Sequence, residues 1–168
     1  MSGSAVRLVA IGAALVVAGP AEAVDNTLPG ACAFVAHLYT ILPAAGRDMT
    51  PYAPPLRALM ARDAAYSETS GDVGALDAMP LCDCQDMAAD YRVTTLRATA
   101  PARNRATVVV SLRNGGIRRF RLDLSWGGKE WLVEDIHGPT IPSLLAHLTR
   151  EVPAEEARLR QQSKRRTS

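Results

Sequence analysis

Four sulfur atoms crowd one short stretch of this chain, at Met79, Cys82, Cys84 and Met87. Soft thiolate and thioether ligands select Cu(I), so this spacing permits a copper-binding reading. Zinc is disfavoured, because no nearby histidine completes a tetrahedral set. The cysteine pair is as readily oxidised as metallated, and the methionines are ordinary core fillers. Cys32 makes the cysteine count odd, which allows one internal disulfide and one leftover thiol. Cys32 joined to Cys82 or Cys84 would close a long loop. Cys82 joined to Cys84 would close a tight, strained and more easily reduced ring. The pairing is open at this stage.

A second group of residues centres on Asp135. In the strand-like run Glu130–Ile136, alternation places Trp131, Val133 and Asp135 on one face. A carboxylate against an aromatic wall has its pKa raised, which is how a general acid or base is prepared. The competing role is a carboxylate paired with an arginine or capping the next turn. A catalytic site needs a second convergent group, and His37 is the only candidate placed before the strands. Gln85 and Asp86 form a third polar pair. Asp83 there suits a helix N-cap, with Asp86 as its reciprocal partner three residues on. No Gly-rich phosphate loop, Ser elbow or paired-His helix motif is present.

The elements that must position these groups follow from periodicity. Phe34, Val35, Leu38, Ile41 and Leu42 make an apolar stripe, predicting a helix over Gly30–Leu42. Pro43 ends it, and the proline-rich residues 43–55 form an extended connector. A second helix is expected from about Pro55 to Ser67, with Leu56, Leu59, Met60 and Ala64 buried. Strand-like runs follow at Tyr91–Thr99, Arg105–Arg113, around Phe120–Trp126 and at Glu130–Ile136. Asn114-Gly115-Gly116 and Gly127-Gly128 turn the chain between them. A short helix over Ser143–Glu151 closes the domain, and Pro153 interrupts before a charged tail. The order predicts an α+β domain over residues 24–152, with N-terminal helices packed on an antiparallel sheet of four strands. Residues 153–168 are expected to be flexible or helical.

The start of the chain reads as an address. Arg7 precedes the small and apolar run Leu8–Gly19, then Pro20 and Ala21-Glu22-Ala23 supply a signal-peptidase pattern. That run is too short for a membrane-spanning helix of about 20 residues. Residues 1–23 are thus expected to be a cleaved signal peptide, cut after Ala23. The product would be periplasmic or secreted, without a stable membrane anchor. A net charge of +2 over 168 residues gives no ground for nucleic-acid binding, and no basic stripe with interleaved aromatics stands out.

LDAMPLCDCQD at Leu76–Asp86, EWLVEDI at Glu130–Ile136, and FVAHLY on the opening helix form a recognisable set. Together they resemble the bacterial domain-of-unknown-function family 3828, a group of exported proteins and lipoproteins. The family pattern has an acidic-Pro pair where this chain has Met79-Pro80. The resemblance covers roughly residues 30–150. It implies a nuclear transport factor 2-like fold, in which a curved sheet is wrapped by helices around a cone-shaped pocket. It would place Gln85, Asp86, Trp131 and Asp135 as ligand-binding residues of that pocket, and it implies no reaction and no cofactor. The expected function is therefore a non-catalytic binding or accessory protein of the envelope, taking a small ligand or an envelope protein. The alternatives are an isomerase- or dehydratase-like pocket enzyme using Asp135, and a Cu(I) binder through Met79, Cys82, Cys84 and Met87.

Overall fold

A computed structural model describes residues 25–43 and 50–166. The signal-like residues 1–23 and the middle of the connector lie outside the described residues. Two helices come first, α1 (Leu28–Ile41) and α2 (Pro54–Ser70). Four strands follow, β1 (Arg92–Ala102), β2 (Arg105–Arg113), β3 (Ile117–Trp126) and β4 (Trp131–His137), and then α3 (Leu144–Arg166). The strands pair antiparallel in chain order, so the sheet is a simple meander. The architecture is α+β, as the periodicity predicts.

Local chemistry sets the boundaries. The Thr27 hydroxyl accepts from Gly30 N at 3.1 Å and starts α1, while Pro54 and Pro55 open α2. Gly71 ends α2 in the left-handed conformation at φ 74°, where a Cβ would be strained. Asn104, Gly115 and Gly128 supply the positive φ values of the three hairpin turns.

All three helices lie on one face of the sheet. Val108, Val110, Leu112 and Leu122 are fully buried there, with Trp131 and Phe120 almost so. α1 supplies Ala31, Val35 and Leu38, and α3 supplies Leu144, Leu148 and Val152. Side chains therefore fill the layer that a cone-shaped pocket would leave hollow. One connector segment also joins the sheet. Ala53 N donates to Val133 O at 2.9 Å, and Val133 N to Pro51 O at 3.0 Å, so this strip runs parallel along the outer edge of β4.

The closing helix is not short, and Pro153 does not interrupt it. α3 runs for 23 residues through that proline. A proline inside a helix costs roughly 3 kcal/mol through a lost hydrogen bond and a clash. Continuous burial offsets the loss, because Leu148, Val152 and Glu155 stay against the body of the protein on both sides of Pro153. Beyond them Arg158 lies over the Tyr66 ring at 6.0 Å, and Arg62 of α2 makes a two-point ion pair with Glu156. Of the two states open to residues 153–168, the structure shows helix as far as Arg166.

The α2–α3 seam contains two acids, Asp63 and Glu155, only 6% and 2% exposed. Asp63 Oδ1 accepts from Ala75 N at 2.6 Å, whereas Glu155 Oε2 is buried without a partner. Burial, then the charge of Asp63, push the Glu155 carboxyl above its usual range, against a smaller opposing pull from Arg158. The folded state thus holds a proton that the unfolded state releases earlier. Stability from this group is complete at low pH and is lost as pH rises through the raised pKa. Glu155→Gln should therefore be more stable than the wild type near neutral pH, the gap closing on acidification; urea melts across pH 4–8 will test this. Pro153→Ala should add about 1–3 kcal/mol in the same melts.

Candidate functional site

β4 departs from regular alternation at one residue. Leu124 pairs with Val133, but Asp123, one residue earlier on β3, pairs with Asp135. Glu134 is therefore an extra residue, a β-bulge, and side chains beyond it change face. Trp131, Val133 and Ile136 point to the core, whereas Asp135 and His137 sit on the opposite side with Asp123 and Arg121. The expected pairing of Asp135 with an aromatic wall is thus overturned, since alternation holds only while no residue is inserted.

Asp135 instead fastens the start of α3. Its Oδ1 accepts from Leu145 N at 2.9 Å and from Ile136 N at 2.8 Å. Its Oδ2 accepts from the Ser143 hydroxyl at 2.6 Å. Ser143 Oγ in turn accepts from Ala146 N at 3.1 Å, so two side chains satisfy orphan donors of the first helical turn. The capping role weighed from the sequence is the one the geometry realises.

The same bulge brings a polar cluster together on the helix-free face. His137 Nε2 lies 2.7 Å from Asp123 Oδ2, 2.8 Å from Arg121 Nη2 and 3.5 Å from Asp135 Oδ2. His137 Nδ1 donates to Pro142 O at 2.6 Å, since a carbonyl can only accept. Thr107 Oγ1 donates to the other oxygen of Asp123 at 2.9 Å. Both ring nitrogens of His137 and both carboxylate oxygens of Asp123 thus lie against protein groups, which suits a fixed scaffold better than a proton-transfer site.

The other expected site residues lie apart. Trp131 is 2% exposed, donates from Nε1 to Asp25 O at 2.9 Å and meets Trp126 edge-on at 5.5 Å. It is a core residue, not a stacking surface. Asp86 is exposed, and its carbonyl receives Asn114 Nδ2 at 3.4 Å. Gln85 Nε2 donates to Asp77 O at 3.1 Å and lines an open cleft of about 420 Å³ with Met60, Asp77 and Met79. Nearby, Met79, Asp83, Ile136 and Leu144 help enclose a cavity of about 40 Å³. That is far below the roughly 300–1,000 Å³ of ligand pockets. His37 is exposed on α1, away from Asp135.

The expected helix after Asp83 does not form. Residues 79–84 make a tight turn closed by a bridge between Met79 and Cys84, with Asp83 at φ 50°. Cys82 and Cys84 are disulfide-bonded inside this turn, and Cys32 is free. Arg118, from the start of β3, donates to the carbonyls of Cys82 and Asp83. In this form the pair offers no thiolate to Cu(I), and Met79 and Met87 pack against the core. Among the described residues no group of three or more His, Cys, Asp or Glu could hold a metal ion.

A feature that the sequence reading missed is the arginine content of the uncovered face. Arg97, Val109, Arg121 and His137 are consecutive cross-strand partners, a row spanning all four strands. Thr95, Ser111 and Arg119 form the next row. The signal was present as arginine at alternate strand positions, yet it becomes a patch only once the strands are registered.

Among the described residues the chain is thus an α+β meander with three helices on one sheet face and a basic opposite face that carries no helix. No family model, curated protein or solved structure matches it. Asp135→Ala should cost about 1–2 kcal/mol by removing a cap, and chemical denaturation with and without the substitution will measure it.

Proposed function

We propose that this chain is an exported, non-catalytic binding or accessory protein of the bacterial cell envelope, engaging a partner protein through its surface. The observation that carries this reading is the packed layer between sheet and helices, where Val108, Leu122 and Val133 are fully buried. A filled interior favours contact between surfaces over enclosure of a small ligand. The saturated hydrogen bonds of Asp135 point the same way, because a general acid or base needs a free position facing substrate.

Export is supported by two independent features. The first is the signal-like segment ending at Ala23. The second is the Cys82–Cys84 disulfide, a bond that persists in oxidising compartments and is rare in reducing ones. The resemblance to family 3828 agrees with both. Helices gathered on one face of an antiparallel sheet also agree with a nuclear transport factor 2-like ancestry, with the pocket filled in.

Fractionation of expressing cells tests the reading. The protein should be found in the periplasm or medium, begin at Val24, and expose one alkylatable thiol, Cys32, before reduction. A cytoplasmic product that retains Met1 and alkylates at all three cysteines would overturn it.

A further inference from the structure

The helix-free sheet face has the composition of a protein-binding surface. Its rows carry Arg92, Arg97, Arg105, Arg113, Arg119 and Arg121, against the carboxylates of Asp123, Glu134 and Asp135. Those acids are already engaged: Asp123 by His137 and Arg121, Glu134 by Arg105, and Asp135 by the α3 cap. Arg97 and Arg119 have no carboxylate partner among the described residues. The whole chain has a net charge of only +2, so this face concentrates positive charge that the total conceals.

Charge is also unevenly placed within the face. The carboxylates lie at the β4 side, and the unpartnered arginines lie on β1 and β3 towards the β2–β3 hairpin. At the centre of the face, on β2, Val109 is 42% exposed, flanked across the strands by Arg97 and Arg121. Ile117 is 56% exposed at the hairpin end. An apolar centre ringed by arginine is the pattern of interface cores, which favour Arg over Lys and exclude water around a central anchor. The strands of this face present no lysine, and the His137 ring on it is held by Asp123 and the Pro142 carbonyl.

The surroundings suit a rigid contact. Thr95, Thr99, Thr107 and Ser111 fill positions between the arginines with short hydroxyl side chains. The threonines are stiff at χ1 and lose little freedom on binding. Four strands at about 4.8 Å spacing and about 30 Å long give a face of roughly 500 Å² in projection, of the order of one side of a standard interface. Guanidinium groups match carboxylates in two-point geometry.

We infer that this face docks an acidic polypeptide, with an apolar partner residue seated on Val109 and partner carboxylates on Arg97 and Arg119. The inference rests on the binding-protein reading above and gives its partner a chemistry. Docking from this face leaves the helices and the disulfide turn free.

The test uses the purified mature protein and a synthetic peptide with glutamates flanking a central leucine, followed by amide chemical shifts. Shifts should concentrate at residues 95–99, 107–111 and 119–121. Affinity should fall at least about tenfold when the peptide leucine becomes glutamine, and again in Arg97→Glu/Arg119→Glu. A control, Arg160→Glu/Arg165→Glu, makes the same charge change on exposed α3 and should bind as the wild type does. Several results would overturn the inference: equal binding by the leucine and glutamine peptides, equal binding by inorganic polyphosphate or phosphatidylglycerol vesicles, or no binding at all. So would sedimentation showing self-association abolished by the sheet variant, which would make the occupant a second copy. If the peptide fails while the protein is still recovered cleaved and oxidised outside the cytoplasm, this inference falls and the export reading stands.

Discussion

One inserted residue, Glu134, sets the relation between the sheet and everything attached to its far end. Were β4 paired in regular register through Glu134, Asp135 would follow Trp131 and Val133 into the apolar layer, and Ile136 would face water. A buried carboxylate without donors costs several kcal/mol, as does each exposed branched aliphatic in lost burial. The bulge instead gives Ile136 to the core, with 2% exposure, and turns Asp135 to where Ser143 and Leu145 N can reach it. The start of α3 is thereby tied to the sheet by hydrogen bonds, and the direction in which α3 leaves the sheet depends on that tie. Along α3, Leu148 and Val152 then reach the core and Glu155 reaches α2. Core, cap and helix seam all follow from a single step in register.

Much of this is legible in the amino-acid sequence. The alternation of Phe120, Leu122 and Leu124 with Arg119, Arg121 and Asp123 reports a half-buried strand, and the structure places those residues accordingly. The glycine turns fix the hairpins for the same reason: few residues tolerate positive φ. What escaped had non-local causes. A bulge leaves no signature in a seven-residue strand, because pairing with β3, not composition, decides where the extra residue goes. Pro153 reads as a stop in the sequence because its local cost is certain, whereas the burial that offsets it comes from α2, far off in sequence. The arginine row was hidden because Arg97 and Arg121 become neighbours only through β2.

The disulfide turn illustrates a different limit. Three pairings are open in the sequence, the Cys82–Cys84 ring being the tightest of them. The structure nevertheless joins Cys82 and Cys84, since α1 keeps Cys32 elsewhere and the turn Met79–Cys84 brings the two sulfurs together. Arg118 then ties that turn to the start of β3 through two carbonyls. The sulfur-rich stretch that invited a metal reading is a small covalent knuckle clamped to the sheet.

The strip at Pro51–Ala53 changes what the sheet can do at its margins. By occupying the backbone donor and acceptor of Val133, it blocks strand addition at the middle of β4. β1 is the other margin, and Pro101 and the irregular pairing near Thr94 roughen it. Stacking of many copies side by side needs two continuous free edges, and the interruption at Val133 disfavours it.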